Sequence, residues 1–596
     1  MPRNPREVNP QPSSKSLSDH LRQSKPAVRP CRRAPALRLG VECLPLVESV
    51  RENCKNTQRV LLRLGEVGEF ESSGQLDRII EALSRHAEGT WCQASAISAA
   101  PDAPAVGAIE AAYAYWCQLG LDEHFARIGK ARRSSLLADA VFVMVANRLI
   151  DPCSKRRAIG DWLRADVVLP QGVKLPSLQG CYRALDVVAE HKEATEAHLF
   201  SEICSLVDLD LRLGLYDLTS SYFEGDPRPS TRFPSKAFGY SRDHRSDRPQ
   251  VMLGLLTTTE GIPISHHVFP GNTRDSSTLP VVAEDLSKRF GVGRLCLVAD
   301  RGIITADNLN TLSAAGIDYV LATRLRRDEL CEQALAASVG PSTAWVPVAS
   351  ASSFATEVAI DNTRCVVVAS PERWRRDTAR TKELVKRTEE KLVALEWRVR
   401  DGELVDPGKI GRAAQRILGA SGVARLFSLE IGKGRFVYDY DHEAMDYEKE
   451  LLCGRYVLTT SLPASSTSTA SVVTAYRGLL DVEDRFRELK DFLGLRPVRH
   501  FTESRVRGHI GICVLAATIE ALMARDLRRA DVRDPDLRFQ HLTARRALGE
   551  LDRVRLVALA AGERTVEVVT RRTALQTKVL NAFGVDTSAW DRARIT

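Results

Sequence analysis

The spacing of apolar positions divides the chain. Between residues 40 and 205 apolar side chains recur every three or four positions, which predicts a mainly helical region. Its clearest segment is Arg132–Leu149 (RRSSLLADAVFVMVANRL), where Ser134 and Ser135 offer capping oxygens and Pro152 marks the end. A second helical pattern spans Ser177–Leu206. Near Leu211 the period changes. LRLGLYD (211–217), PQVMLGLLTTTEG (249–261) and IPISHHVFPGN (262–272) predict three strands, the last two forming a hairpin through Glu260 and Gly261. A helix follows over Ser276–Phe290, capped by Asp275 or Ser276. Then come a buried-type strand, GRLCLVAD (293–300), a helix over Thr305–Ala315 closed by Gly316, and a strand, IDYVLATR (317–324). This order predicts an α/β sheet of mixed polarity.

The segment 336–460 interrupts the pattern. Its β-branched runs (WVPVA, TEVAI, TRCVVVAS) flank a charged helical stretch, Arg373–Arg398, and it is too long for a loop, so it predicts an inserted β-rich module. A long helix from Ala470 to Phe492 and an apolar helix from His509 to Leu527 come next. At 596 residues the chain exceeds what one core can organise. The expected architecture is α/β multidomain: a basic arm over 1–39, a helical N-terminal region over 40–205 that fits a DNA-binding region or an all-helical scaffold, an α/β core in two parts over 206–335 and 461–530, the insertion over 336–460 between them, and a C-terminal region over 531–596 that fits DNA binding or dimerisation.

Charge adds to this picture at one end only. The net charge is +8, and residues 1–33 carry eight Lys or Arg against Glu7 and Asp19. Such an arm is drawn to phosphate backbones, although a solvated tail has the same composition. The 13 cysteines include no C-x-x-C pair, which favours reduced buried thiols over a zinc site. No apolar run reaches 18 residues and the N-terminus is polar and Pro-rich, so neither a membrane span nor a signal peptide is expected, and the expected compartment is the cytoplasm.

Asp217 and Asp300 each end a predicted strand, where open α/β sheets place their sites; each alone also fits a turn-forming Asp. Glu483 is more telling. Val472, Tyr476, Leu479, Glu483, Phe486 and Lys490 follow one another at spacings of three and four, and so share one helical stripe. A charged Glu on a packed stripe requires a partner or a metal. A Glu–Lys edge to that face is the alternative.

The phrase from Tyr476 to Lys490 resembles the Y-x2-R-x3-E-x6-K signature of bacterial insertion-sequence transposases, the YREK group of the IS-four superfamily. Tyr476, Glu483 and Lys490 match it; Leu479 stands at the Arg position, which leaves that role unfilled or passed to Arg477. YDLTSSYF, HHVFPGNTRDSSTL and ADRGIITADNL resemble the segments around the first two catalytic aspartates of the group. The resemblance covers Leu211–Leu325 and Tyr476–Ala524.

It implies an RNase H-like, retroviral-integrase-like catalytic domain with a DDE triad, Asp217, Asp300 and Glu483. That triad would hold two divalent ions, Mg2+ or Mn2+, with Asp217 bridging them. The implied activity is cleavage at transposon ends and transfer of the freed 3′-OH into target DNA. Double-stranded DNA is the implied partner, with a homodimer pairing two ends and nucleoid association when bound. Tyr476, Lys490, Arg301, Arg324, Arg326, Arg327 and Arg487 are the expected DNA contacts. Asn272 and Asp275 are expected as turn and cap residues, and His266 and His267 have no metal-site spacing. Two other readings compete. One is a catalytically inactive, transposase-derived DNA-binding protein. The other is a phosphatase using Asp217 as nucleophile, which calls for an acid at position 219, where Thr219 stands.

Overall fold

The computed structural model describes residues 43–52, 55–66, single positions between 73 and 82, 97–99, and 103–595 apart from 207–212, 226–232, 290–295, 300–304, 324–327, 340–342, 349–352, 538, 562–563 and 591–593. The basic arm over 1–39, Asp300, Arg301, Arg324, Arg326 and Arg327 therefore lie outside the described residues. The chain forms two compact units, one of Met1–Ser98 with Ala560–Val566, the other of Ala99–Leu559 with Glu567–Thr596.

In the smaller unit, Cys43–Glu52 and Lys55–Glu66 pair as an antiparallel hairpin that turns between Glu52 and Lys55. This corrects the helical expectation at the start of 40–205. The β-branched and apolar positions of LPLVESV and QRVLLRL are read equally well at a period of two, and cross-strand pairing selects that period.

The larger unit opens with helices α1 (Gly107–Gln118), α2 (Leu137–Ile150), α3 (Leu178–Glu190) and α4 (Lys192–Leu206). Helix α2 begins three residues later than Ser134, with no side-chain cap, and is buried on nearly every face. Ser177 does cap α3, accepting from the Gly180 N–H.

A nine-stranded sheet follows. Its strands are β1 (Leu213–Tyr222), β2 (Gln250–Thr257), β3 (Pro263–Pro270), β4 (Cys296–Ala299), β5 (Asp318–Ala322), β6 (Val346–Pro347), β7 (Phe354–Ile360), β8 (Thr363–Ala369) and β9 (Arg455–Thr460). They lie in the order β3-β2-β1-β4-β5-β9-β8-β7-β6. The β1–β4 and β4–β5 pairs are parallel and the others antiparallel. Helices α5 (Leu279–Arg289) and α6 (Ala306–Ala314) link β3 to β4 and β4 to β5. Asp217 is not at a strand end as expected. It lies mid-strand, paired with Leu255, because Leu218, Thr219, Ser220 and Ser221 continue β1 and are buried.

The strands of 336–460 join this same sheet through β9, which pairs with both β5 and β8. Between β8 and β9 stands a largely helical lobe. Helix α7 (Pro371–Arg400) is capped by Ser370 and buries Val385, Leu392, Leu395 and Val399 at three- and four-residue spacing. That stripe packs on α8 (Pro407–Gly419) and on the hairpin Phe427–Gly432/Arg435–Tyr440 as a separate core. The segment is thus a sheet extension carrying a helical lobe.

Three helices complete the site: α9 (Thr469–Arg477), α10 (Leu479–Arg487) and α11 (Glu503–Arg529). Helix α11 is buried on most faces within the largest core, together with α2 and α3. Among the described residues no helix is long and apolar enough to cross a membrane.

Candidate active site

The expected single helix from 470 to 492 is interrupted. Gly478 separates α9 from α10, and Glu488–Phe492 continues as a wider π turn. Gly478 allows a close approach: a Cβ there would meet Leu215 Cδ1 of β1 at 2.9 Å. The helix pair is thereby pressed onto the strand that carries Asp217. Val472, Leu479, Val482, Phe486 and Leu489 bury themselves against this side of the sheet.

Asp217 and Glu483 line one cleft of about 530 Å³, together with Arg242, Asp243, Asp275, Arg487, Lys490 and Arg496. Asp217 Oδ1 accepts from the backbone N–H of Leu218 at 2.7 Å. Glu483 is exposed to the cleft. This corrects the expectation of a packed position: the buried stripe of α10, with Leu479, Val482 and Phe486, passes beside Glu483. In the parallel ladder Ala299, the last residue of β4, pairs with Tyr216, the residue before Asp217.

The opposite wall is a loop between β1 and β2. Gln250 fixes it by donating from Nε2 to the carbonyls of Tyr240 and Gly271 at 2.9 and 2.8 Å. The Arg242 N–H donates to Ser220 Oγ at 3.1 Å, and its guanidinium pairs with Asp275 at 2.7 Å. Asp243 is deeply buried and accepts from Lys490 Nζ at 2.7 Å and Arg496 at 2.6 Å. Burial pulls the Lys490 ammonium below its ordinary pKa, and Asp243 opposes that shift. Arg496 also reaches Asp491 at 2.5 Å.

Residues 211–519, more than half of the chain, match the family model described as the transposase DDE domain, and residues 38–96 match the N-terminal domain of IS1634 family transposases. The chain belongs to the DDE transposases of insertion sequences. A comparison with curated proteins gives no match to this transposase. Among solved structures it is similar to a piggyBac transposase in a synaptic complex with hairpin DNA, at 11% identity, with 70% of each chain covered and a TM-score of 0.30.

The transposase brings its signature residues together unevenly. Glu483, Arg487 and Lys490 line the cleft, Arg487 exposed and paired with Asp484 at 2.6 Å. Tyr476 does not line it; its ring packs against Tyr456 with centroids 5.6 Å apart, beside the main core. Leu479, at the signature's Arg position, is buried, and Arg477 is absent from the lining. The arginines that do line the cleft are Arg242, Arg487 and Arg496. Asp275, expected as a cap, opens a 3-10 turn and faces the cleft as partner of Arg242.

Asp243 was not singled out from the sequence. The dense charge of SRDHRSDR (241–248) was its one visible signal. His266 and His267 serve structure: His266 sits 2.7 Å from Glu196, and His267 3.1 Å from Asp285. Cys117, Cys153, Cys181, Cys204, Cys296, Cys331, Cys365, Cys453 and Cys513 are free thiols.

Asp217, Asp275 and Glu483 offer carboxylate oxygens on one open cleft, which suits hard ions such as Mg2+ or Mn2+. Among the described residues no three His, Cys, Asp or Glu cluster tightly enough to hold a metal; Asp300 lies outside them.

Proposed function

We propose that Asp217, Asp300 and Glu483 form the catalytic carboxylate set of a transposase that cleaves DNA at the ends of its element and joins the freed 3′-OH to target DNA. The observation that carries this reading is that Asp217 and Glu483, 266 positions apart by their numbers, line the same open cleft. The strand order β3-β2-β1-β4-β5, with β1, β4 and β5 mutually parallel, supports an RNase H-like core.

Asp217 and Glu483, with Asp300, would hold two Mg2+ or Mn2+ ions, which when bound would neutralise phosphate charge and acidify water. The chain's own groups do the rest. Arg242, Arg487 and Arg496 give the cleft the cationic side chains that a DNA backbone needs. Asp243 holds Lys490 and Arg496 at one wall, so that the cationic edge is preset before DNA arrives. Double-stranded DNA is the substrate, and a dimer would pair two ends.

The test is incubation of the purified protein with duplexes carrying the terminal repeats of its element. Strand cleavage in Mg2+ or Mn2+ that stops in EDTA is expected. Binding without cleavage under every ion condition would favour the inactive DNA-binding reading.

A further inference from the structure

A second cleft, of about 570 Å³, opens next to the first, and Arg496 lines both. It is lined by Arg148, Lys155, Arg499, His500, Arg505 and His509, and no Asp or Glu is among its lining residues. Lys155 is buried in its wall. Its Nζ lies 3.3 Å from His500 Nε2 and 3.2 Å from His509 Nδ1. The other nitrogen of His509 faces the Leu495 carbonyl at 3.3 Å, so that nitrogen carries the ring proton and Nδ1 accepts. Burial pulls His500 down to about 3 and His509 well below its ordinary value, and both rings are neutral.

Lys155 thus donates to two uncharged imidazoles, and among the described residues no acceptor takes its third proton. Arg148, also buried, donates only to the neutral oxygens of Asn147, Cys153 and Gly494. The other buried cations of the described residues are treated differently. Arg485 has Glu520, Lys490 has Asp243, and Arg525 has Glu260 and Asp526. Two buried cationic groups without a carboxylate are costly unless an anion completes them. Phe501 stands at the lip, 81% exposed, where a base could stack.

We propose that this cleft is a phosphodiester site that holds the backbone of the DNA strand leaving the cleft of Asp217 and Glu483, with Lys155 as its buried contact and Arg499 and Arg505 at its rim. The proposal rests on the transposase reading. Arg505 is held for this task by stacking on Tyr182, 5.2 Å from the ring centroid, and by Asp186 at 3.6 Å.

A phosphate would bind best to protonated Lys155, which burial and Arg148 pull down to about 7. The other groups facing Lys155 are the Arg148 guanidinium and the two histidines, whose rings are neutral over the same range. The thiols of Cys153, Cys181 and Cys513 are pushed up by burial and stay protonated.

The test is fluorescence anisotropy with a labelled single strand and the matching duplex, in EDTA so that nothing is cut. Wild type, Lys155→Met and the rim variant Arg499→Glu are compared. Both variants are expected to bind at least about fivefold more weakly, with the salt slope reduced by about one. Wild-type affinity should fall as pH rises from about 6 to about 8.5, and that fall should be absent in Lys155→Met. Should Lys155→Met fail to fold, Arg499→Glu, altered only at an exposed rim, carries the comparison. Variants matching wild type in affinity, slope and pH dependence overturn the proposal. A rise in melting temperature with orthophosphate, without any change in DNA affinity in the variants, makes this a free-anion site and also overturns it. A wild type that binds no DNA overturns the transposase reading itself.

Discussion

Lys490 and Asp243 meet across 247 positions of sequence, Nζ to Oδ1 at 2.7 Å, in the buried wall of the cleft. Asp243 also takes Arg496, and its second oxygen has no hydrogen-bond partner among the described residues. The signature lysine is thus set by a carboxylate rather than extended into solvent. Asp243→Asn leaves Lys490 without a counter-charge in a buried wall, while Arg496 keeps Asp491. The expected result is at least about tenfold slower strand cleavage with DNA affinity changed less than about threefold. Urea melts should show a loss of roughly 3 kcal/mol, the scale for breaking a buried pair.

Arg485 and Glu520 form a second buried pair, which ties α10 to α11, with Glu488 closing on the same guanidinium. Burial pushes the Glu488 carboxyl up, and Arg485 pulls it back. Glu520→Ala strands the Arg485 charge in the core, and a loss of about 3–5 kcal/mol in urea unfolding is expected. Glu520→Gln, which keeps an acceptor, should lose less.

Gly478 sets the height of α10 over β1. Gly478→Val adds bulk where even a Cβ would stand 2.9 Å from Leu215 Cδ1. Overpacking of this kind costs about 1–3 kcal/mol and moves the helix off the strand. Cleavage should fall more than stability, because Glu483 moves with the helix; equal losses in both would show that the spacing matters only to folding.

Acid stability should depend on the cluster that joins α4, β3 and α5. Burial alone would raise the Asp285 carboxyl, but His267 and Arg289 overcome it and hold it at about 2. Glu196 is held below its ordinary range against burial by His266, Lys192 and Arg289. Both pKa values are lower in the folded chain than in the unfolded one. Their stabilisation is therefore complete above the unfolded carboxyl values, near pH 4, and is lost as pH falls through about 2. Asp285→Asn should flatten the acid limb of a stability-versus-pH curve measured by urea melts, removing on the order of 2 kcal/mol at neutral pH.

Much of the sheet was legible in its residues. The runs of 249–261 and 262–272 alternate or cluster β-branched and apolar side chains around a Glu-Gly turn, and they form β2 and β3 as expected. Asp217 favours a turn at the end of an apolar run, whereas cross-strand pairing with β2 carries β1 on to Tyr222. The helical stripe placed Glu483 on the correct helix but on a packed face. Gly478 and the π turn after Arg487 break the strict 3.6-residue period, and Glu483 faces the open cleft. The partnership of Asp243 with Lys490 had no local signature, because only the assembled fold brings the two together.

The most direct test of the central claim compares strand cleavage of end duplexes in Mn2+ by wild type, Asp217→Asn and Glu483→Gln, with DNA affinity measured in parallel. The account predicts that each variant binds DNA as wild type does and cleaves at least about a hundredfold more slowly. Wild-type cleavage by either variant would contradict it.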